Sequence, residues 1–194
     1  MMHIEYFTFN AFQTRCSVVW DDDKFCALVD PGCASAEETE ALADFIVSRG
    51  LKPVCIMLTH GHFDHIYGVS ALSEKFGRIP VHMHKDERYT VAETNPYVCG
   101  IYGLELPDVS FIEGPAMKET AEGDVIEVGS LRFQVLETPG HSRGGLCFLE
   151  AGEQVLFSGD TLFAGAIGRT DQPGGDYDQL MKSIFEKLMP LDGA

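Results

Sequence analysis

The run Val54-Cys55-Ile56-Met57-Leu58 leads without a break into Thr59-His60-Gly61-His62-Phe63-Asp64-His65-Ile66-Tyr67-Gly68. No other stretch limits the possible folds so tightly. Five apolar residues before a loop read as a buried strand. Three of the seven histidines and one aspartate then fall within six positions. His60 and His62 are two apart, so on extended backbone both rings leave by the same side. Gly61 and Gly68 permit tight backbone around them. Ile66, Val69 and Leu72 begin a helical spacing, which puts Asp64 and His65 on a helix's first turn. Two imidazoles from a strand end, then a carboxylate and an imidazole from the next turn, can face two adjacent points in space. Borderline divalent metals take that ligand set. The plain alternative is a polar loop that happens to be rich in histidine. Burying so many imidazoles at one strand end without a partner would be costly.

Strands are expected at Ile4 to Phe9, Cys16 to Trp20 and Phe25 to Val29, the last ending at Asp30-Pro31-Gly32. Ser35-Ala36-Glu37-Glu38 matches a capping box and opens a helix that stops at Gly50. After the histidine-rich loop, a helix of about three turns is expected through Val69, Leu72 and Phe76 to Gly77. Pro80 to Met83 reads as a short strand. Residues 95–118 carry Asn95-Pro96, Gly100, Gly103, Pro107, Gly114 and Pro115, which break any periodicity. They read as a long surface connection of the kind that often forms a lid. Hairpins follow at Asp124 to Leu136 and Gly145 to Phe157, then a glycine-rich loop over 162–175. Tyr177 to Leu188 reads as an amphipathic helix with Leu180, Ile184, Phe185 and Leu188 inward. Both halves place strands first and helices after, which suits two sheets packed face to face with helices outside.

Two more strand ends carry metal-ligand residue types: His141 in Thr138-Pro139-Gly140-His141-Ser142 and Asp160 in Ser158-Gly159-Asp160-Thr161. A lone histidine after a strand is more often structural. Three such loops in matching context, one of them with four ligand candidates, are much stronger.

The patterns T-H-x-H-x-D-H-x-x-G, T-P-G-H-S and S-G-D-T-L-F together resemble the metallo-β-lactamase-fold hydrolases. Within them the chain is most similar to the glyoxalase II (hydroxyacylglutathione hydrolase) branch, in a short form without the C-terminal substrate domain. The resemblance extends to Val29-Asp30-Pro31-Gly32 and Gly168-Arg169-Thr170-Asp171, and so covers nearly the whole chain. It implies one α+β domain over residues 1–194, an αββα sandwich of two mixed β-sheets with metals at one sheet edge. It implies His60, His62 and His141 as ligands of a first metal, Asp64 and His65 of a second, and Asp160 as the carboxylate bridging both. Asp64 and Asp160 are then the acidic groups at the reacting centre. Zinc is the expected metal, one or two per chain, with iron or manganese as alternatives. Close cations repel, and an anionic bridge lowers that cost. Water between them becomes a nucleophile near neutral pH. The implied activity is thioester hydrolysis on a small molecule.

Asp30 can orient a ligand imidazole or simply serve the turn before Pro31-Gly32. His82 and His84 read as structural. Arg143 and Arg169 can hold an anionic substrate group, though Arg169 is as readily paired with Asp171. Cys33 carries no mark of a nucleophile, and Tyr67, Tyr97 and Tyr102 default to packing. Arg143 stands where many relatives have a proline. The resemblance also implies, after the last helix, a strand and a G-H-G-like turn with the second metal's third protein ligand. The sequence ends at Leu191-Asp192-Gly193-Ala194 before such a turn, so a weaker second site is expected.

A formal net charge of −16, from 30 acids against 14 bases, argues against nucleic acid and against an anionic membrane surface. Met1 to Tyr6 has no cationic segment followed by an apolar one, so no signal peptide is expected. The six cysteines form no C-x-x-C pair and four lie in strand-like runs, as reduced thiols in the cytoplasm would. A monomer or homodimer is expected. Other readings are a persulfide dioxygenase with one iron on His60, His141 and Asp160, a binding protein without turnover, and a β-lactam hydrolase.

Overall fold

A computed structural model describes residues 1–191. The expectation about the chain's end falls outside them.

Strands β1 (His3–Phe9), β2 (Thr14–Trp20) and β3 (Phe25–Val29) form an antiparallel meander. The chain then crosses through helix α1 (Ala36–Ser48) to β4 (Lys52–Met57), which runs parallel to β3. Strands β5 (Val81–Met83) and β6 (Met117–Glu119) extend the sheet in parallel, giving a mixed sheet in the order β1 to β6. Strands β7 (Val125–Val128), β8 (Leu131–Glu137), β9 (Leu146–Glu150) and β10 (Val155–Phe157) form a second sheet, antiparallel throughout.

Alternation along β8 shows how the layers arise. Phe133 and Val135 point between the sheets, where they meet Val19, Val29 and Met57. Leu136 points the other way, onto Leu180 and Ile184 of the last helix. The first sheet likewise buries Val18, Leu28 and Ile56 against Leu42 and Ile46 of α1 and Leu72 of a later helix. Each such side chain contributes about 1.5–3 kcal/mol when fully buried. Because β2, β3 and β4 are covered on both faces over Val18–Trp20, Cys26–Val29 and Cys55–Met57, those parts read as apolar runs rather than alternating strands. The result is an αββα sandwich. No helix among the described residues is long and apolar enough to cross a membrane.

The capping box at α1 is half formed. Ser35 Oγ accepts from Glu38 N at 3.2 Å. The Glu38 carboxylate reaches Ala34 N (2.7 Å) and Asn10 N (2.9 Å) instead, tying the β1–β2 turn to the helix.

Three local expectations are corrected. The helix after the histidine loop is split into α2 (Phe63–Ile66) and α3 (Val69–Lys75). Gly68 N donates to Pro31 O at 2.9 Å, and a Cβ on Gly68 would lie 2.8 Å from that oxygen. The close approach to Pro31 diverts the backbone between the two helices.

Residues 95–118 are largely structured. Helix α4 (Glu87–Tyr89), a π-helical turn (Thr90–Thr94) and α5 (Asn95–Tyr102) run on without a gap, and Gly103 closes α5 in the left-handed conformation. Pro96 follows directly on the π-helical turn, whose wider hydrogen-bond spacing accommodates its missing N–H inside the continuous helix. A 3₁₀ turn (Ser110–Glu113) buries Phe111 and Ile112, and β6 follows.

At the last helix, α6 (Tyr177–Ser183) passes into a π-helical turn (Ile184–Leu188). Leu180, Ile184 and Leu188 are buried, but Phe185 is 61% exposed. The wide turn, with Met189 N bonded to Ile184 O, keeps residues 184 and 188 inward, while Phe185, about 100° round from Ile184, faces out. The loop 162–175 also holds a small hairpin, β11 (Leu162–Phe163) with β12 (Ala166–Ile167).

Candidate metal centre

The ends of β3, β4, β8 and β10 come to one edge of the sandwich. They bring Asp30, the Thr59–His65 stretch, His141 and Asp160 together. Leu146 N donates to Thr59 O at 2.7 Å, linking the two sheets at this edge.

His60, His62 and His141 are all buried and each offers a ring nitrogen within 4.8 Å of the others. The His60 and His141 ring centroids are 4.8 Å apart. Hydrogen bonds settle which nitrogens point inward. Thr59 Oγ1 gives its single proton to Asp30 Oδ2 at 2.6 Å, because a carboxylate only accepts. The same hydroxyl can therefore only accept from His60 Nδ1, 3.0 Å away. His60 Nε2 is left with the lone pair, and it is buried with no hydrogen-bond partner. His141 Nδ1 donates to Arg169 O at 2.7 Å, which leaves the lone pair on Nε2. His62 turns Nδ1 toward it at 2.9 Å. Burial first, then the neighbouring imidazoles, lowers His60 and His62 well below the usual imidazole range. Both are neutral at pH 7, the form that ligates metal. Three converging imidazoles, one with an orphaned buried nitrogen, fit a divalent cation.

The second set lies beside the first. His65 Nε2 is 3.6 Å from Asp64 Oδ2 and 3.4 Å from Asp160 Oδ1. Asp160 Oδ2 is 3.6 Å from His141 Nε2. One carboxylate oxygen thus faces each set. Burial works against the charge of His65, but Asp64, Asp160 and Asp30 raise it well above the imidazole range. Burial likewise opposes ionisation of Asp160, but the bond and charge of His65, then His141 and His62, hold it down at about 2. The Asp160 side chain is 31% exposed, so this oxygen pair is within reach of solvent. A cavity of about 530 Å³, bordered by Asp64, His65 and Asp160 and by Phe12, Leu156 and Phe163, opens beside it.

The supporting residues were only partly legible. Asp30 serves the turn, and its hold on an imidazole runs through Thr59 to His60. It takes the turn at φ +49 and accepts from Thr59 N at 2.8 Å. Its Oδ2 also stands 3.2 Å from His65 Nδ1, off the line of a hydrogen bond. Arg169 pairs with Asp171 through two bonds of 2.7 and 2.8 Å and serves the site by its carbonyl. Arg143 lies over the Tyr89 ring. His82 bonds Thr120 and His84 bonds Glu137, both away from the cluster. Tyr67 donates to Glu105 O, while Tyr97 and Tyr102 are exposed. The Cys33 thiol is buried and pushed up to about 12 by that burial.

Sequence reading missed Thr14, which donates to Asp64 Oδ2 at 2.7 Å, and Asn10, which holds Asp64 O at 2.9 Å. It also missed Glu87 and Asn95, which hold the ligand loops. At Gly168 a Cβ would collide with Asp160 O, so only glycine lets this loop close over the aspartate. Nothing local in the sequence marks these roles.

The family profile of the metallo-beta-lactamase superfamily matches residues 9–193. The chain belongs to the metallo-β-lactamase superfamily. This is a metallo-hydrolase superfamily whose fold binds divalent metal, in keeping with the converging ligands. The chain is 37% identical to the hydroxyacylglutathione hydrolase GloC of Haemophilus influenzae, over 98% of this chain and 86% of that protein. Among solved structures it is similar to the BLEG-1 B3 metallo-beta-lactamase, with TM-score 0.86 and 35% identity over 97% of this chain and 87% of that one. It is also similar to TTHA1623, solved in a di-iron-bound form, with TM-score 0.79 and 32% identity over 94% and 84%. Within the superfamily fold, the α4–π–α5 segment packs directly on the histidine loop: Phe63 and Tyr67 meet Val98 and Cys99.

Proposed function

We propose that this chain is a metal-dependent thioester hydrolase of the hydroxyacylglutathione hydrolase kind, acting on a small-molecule thioester. Asp160 carries the reading. Its two oxygens face two ligand sets, His60/His62/His141 and Asp64/His65. The likeness to GloC supports the substrate class. Bound divalent cations, zinc by donor type with iron or manganese as alternatives, would acidify a shared water and polarise the acyl carbonyl.

The chain's own residues do the rest. Thr59 and the Arg169 carbonyl hold protons on the Nδ1 atoms of His60 and His141, so that each Nε2 presents a lone pair. Asp160 offsets charge between the two sets. Thr14 fixes Asp64, and Asp30 stands behind His65. The adjacent cavity is within the size range of small-molecule sites. Water and the thioester yield a carboxylate and a thiol, and the thiolate leaves readily without a dedicated general acid. Six buried free cysteines suit a reducing compartment such as the cytoplasm. A single-iron persulfide dioxygenase would use His60, His141 and Asp160. It would leave the Thr14-held Asp64 and the buried His65 without a task.

The test is metal content of protein purified without added metal, with rates on a lactoyl-glutathione thioester, a chromogenic β-lactam and glutathione persulfide. Thioester cleavage, abolished by His60→Ala and by chelation, is expected. Persulfide-dependent oxygen uptake without thioester cleavage would refute the proposal.

A further inference from the structure

Glu87 has no exposed surface at all. Its Oε2 accepts from Gly61 N at 2.7 Å, and its Oε1 accepts from Gly144 N at 2.7 Å. Gly61 lies between His60 and His62, and Gly144 lies three residues after His141. One carboxylate therefore spans the two loops whose imidazoles must meet. Asn95, also buried, fastens the first loop twice more: Nδ2 donates to Gly61 O at 2.9 Å, and Oδ1 accepts from Phe63 N at 3.0 Å.

The approach is close. A Cβ on Gly61 would come within 3.1 Å of Glu87 Oε2 and 3.2 Å of Val91 Cγ2. One on Gly144 would meet His84 Cβ at 2.9 Å. The π-helical turn between α4 and α5 is what lets Glu87 and Asn95 face the same loops. Among the described residues no lysine, arginine or histidine is within ion-pair reach of Glu87. A buried carboxylate so placed is costly unless each oxygen is hydrogen-bonded. Here both oxygens are bonded, to backbone that carries the candidate ligands.

We propose that Glu87, assisted by Asn95, is a positioning residue that sets the spacing between the His60/His62 loop and the His141 loop. Metal affinity at the three imidazoles then depends on it. The inference rests on the metal-centre reading above.

Glu87→Gln keeps the shape but presents one oxygen and one NH₂, so one of the two backbone amides faces a donor. Loss of such outer support typically weakens metal binding about 10–100-fold. The test uses the full chain, stripped of metal, with Co²⁺ titrated against a chromophoric chelator. Glu87→Gln is expected to raise the Co²⁺ dissociation constant by about that factor. Glu87→Asp, one methylene too short to reach both loops, should weaken it about 10-fold. Leu42→Ala, in α1 and away from both loops, should lower the melting temperature and leave Co²⁺ affinity unchanged, which separates positioning from general stability. In the wild-type apoprotein the Gly61 and Gly144 amides should exchange with solvent as slowly as the sheet core.

A folded Glu87→Gln protein that binds Co²⁺ within twofold of wild type overturns the proposal. If that variant does not fold, wild-type affinity in Glu87→Asp, or fast exchange at both glycine amides, overturns it equally. A wild-type chain that binds no Co²⁺, or binds it unchanged after His60→Ala, defeats the metal-centre reading itself.

Discussion

Replacing Asp30 by asparagine tests the chain of hydrogen bonds that sets the His60 tautomer. The aspartate is buried, at 3% exposure, and receives two hydrogen bonds from Thr59, at 2.8 and 2.6 Å. Asparagine can still accept from Thr59 N. Its NH₂, however, would donate to Thr59 Oγ1 and free the hydroxyl proton to turn toward His60 Nδ1. That places the imidazole proton on Nε2, the atom meant to hold metal. Hydrogen bonds to a charged group contribute roughly 1 kcal/mol more than neutral ones, so losing the charge from two of them costs about 2 kcal/mol. In a domain of this size that lowers the melting temperature by about 4–8 °C. The tautomer change should weaken metal binding about 10–100-fold, or about 1.4–2.8 kcal/mol. Chelator competition reads the second effect and thermal melting of the apoprotein reads the first. Thr59→Val removes the relay, and in that background Asp30→Asn should add much less than it does alone. Wild-type metal affinity in the single Asp30→Asn variant, or full additivity in the pair, would refute the reasoning.

Three further outcomes follow from the geometry. Asp160→Asn should fold normally but lose at least about 100-fold in thioester turnover, since a neutral amide cannot offset charge between the two sets; unchanged turnover would rule out the bridging role. Leu188→Ala should cost about 2–5 kcal/mol, whereas Phe185→Ser on the outer side of the π-helical turn should stay within about 0.5 kcal/mol; equal losses in chemical denaturation would contradict the packing described for α6. All six thiols are buried, and burial pushes Cys26, Cys33 and Cys55 up to about 12. At pH 8 almost none of these groups is thiolate, so a disulfide reagent should label no cysteine in the native protein and all six after denaturation.

Much of the molecule is determined locally. The apolar runs Val18-Val19-Trp20, Phe25 to Val29 and Val54 to Met57 announce strands buried on both faces, because nothing polar interrupts them. Ser35 and Glu38 announce the start of α1. His60, His62, Asp64 and His65 announce their chemistry because metal ligands of one loop must lie close in sequence when one strand end and one helical turn carry them. Tertiary structure alone decided how those residues are held. Glu87 and Asn95 sit in a stretch whose Asn95-Pro96 pair reads locally as a break, yet a π-helical turn absorbs the proline and carries the helix on. Their partners are backbone amides and carbonyls, which every residue has, so no side-chain pattern could reveal the contact. Phe185 stands one residue past the buried Ile184, about 100° round the helix, and so falls off the buried face that Leu180, Ile184 and Leu188 share. The sequence by itself set the candidate ligands and the layers. Only packing between distant segments set the tautomers, the loop spacing and the glycines that permit both.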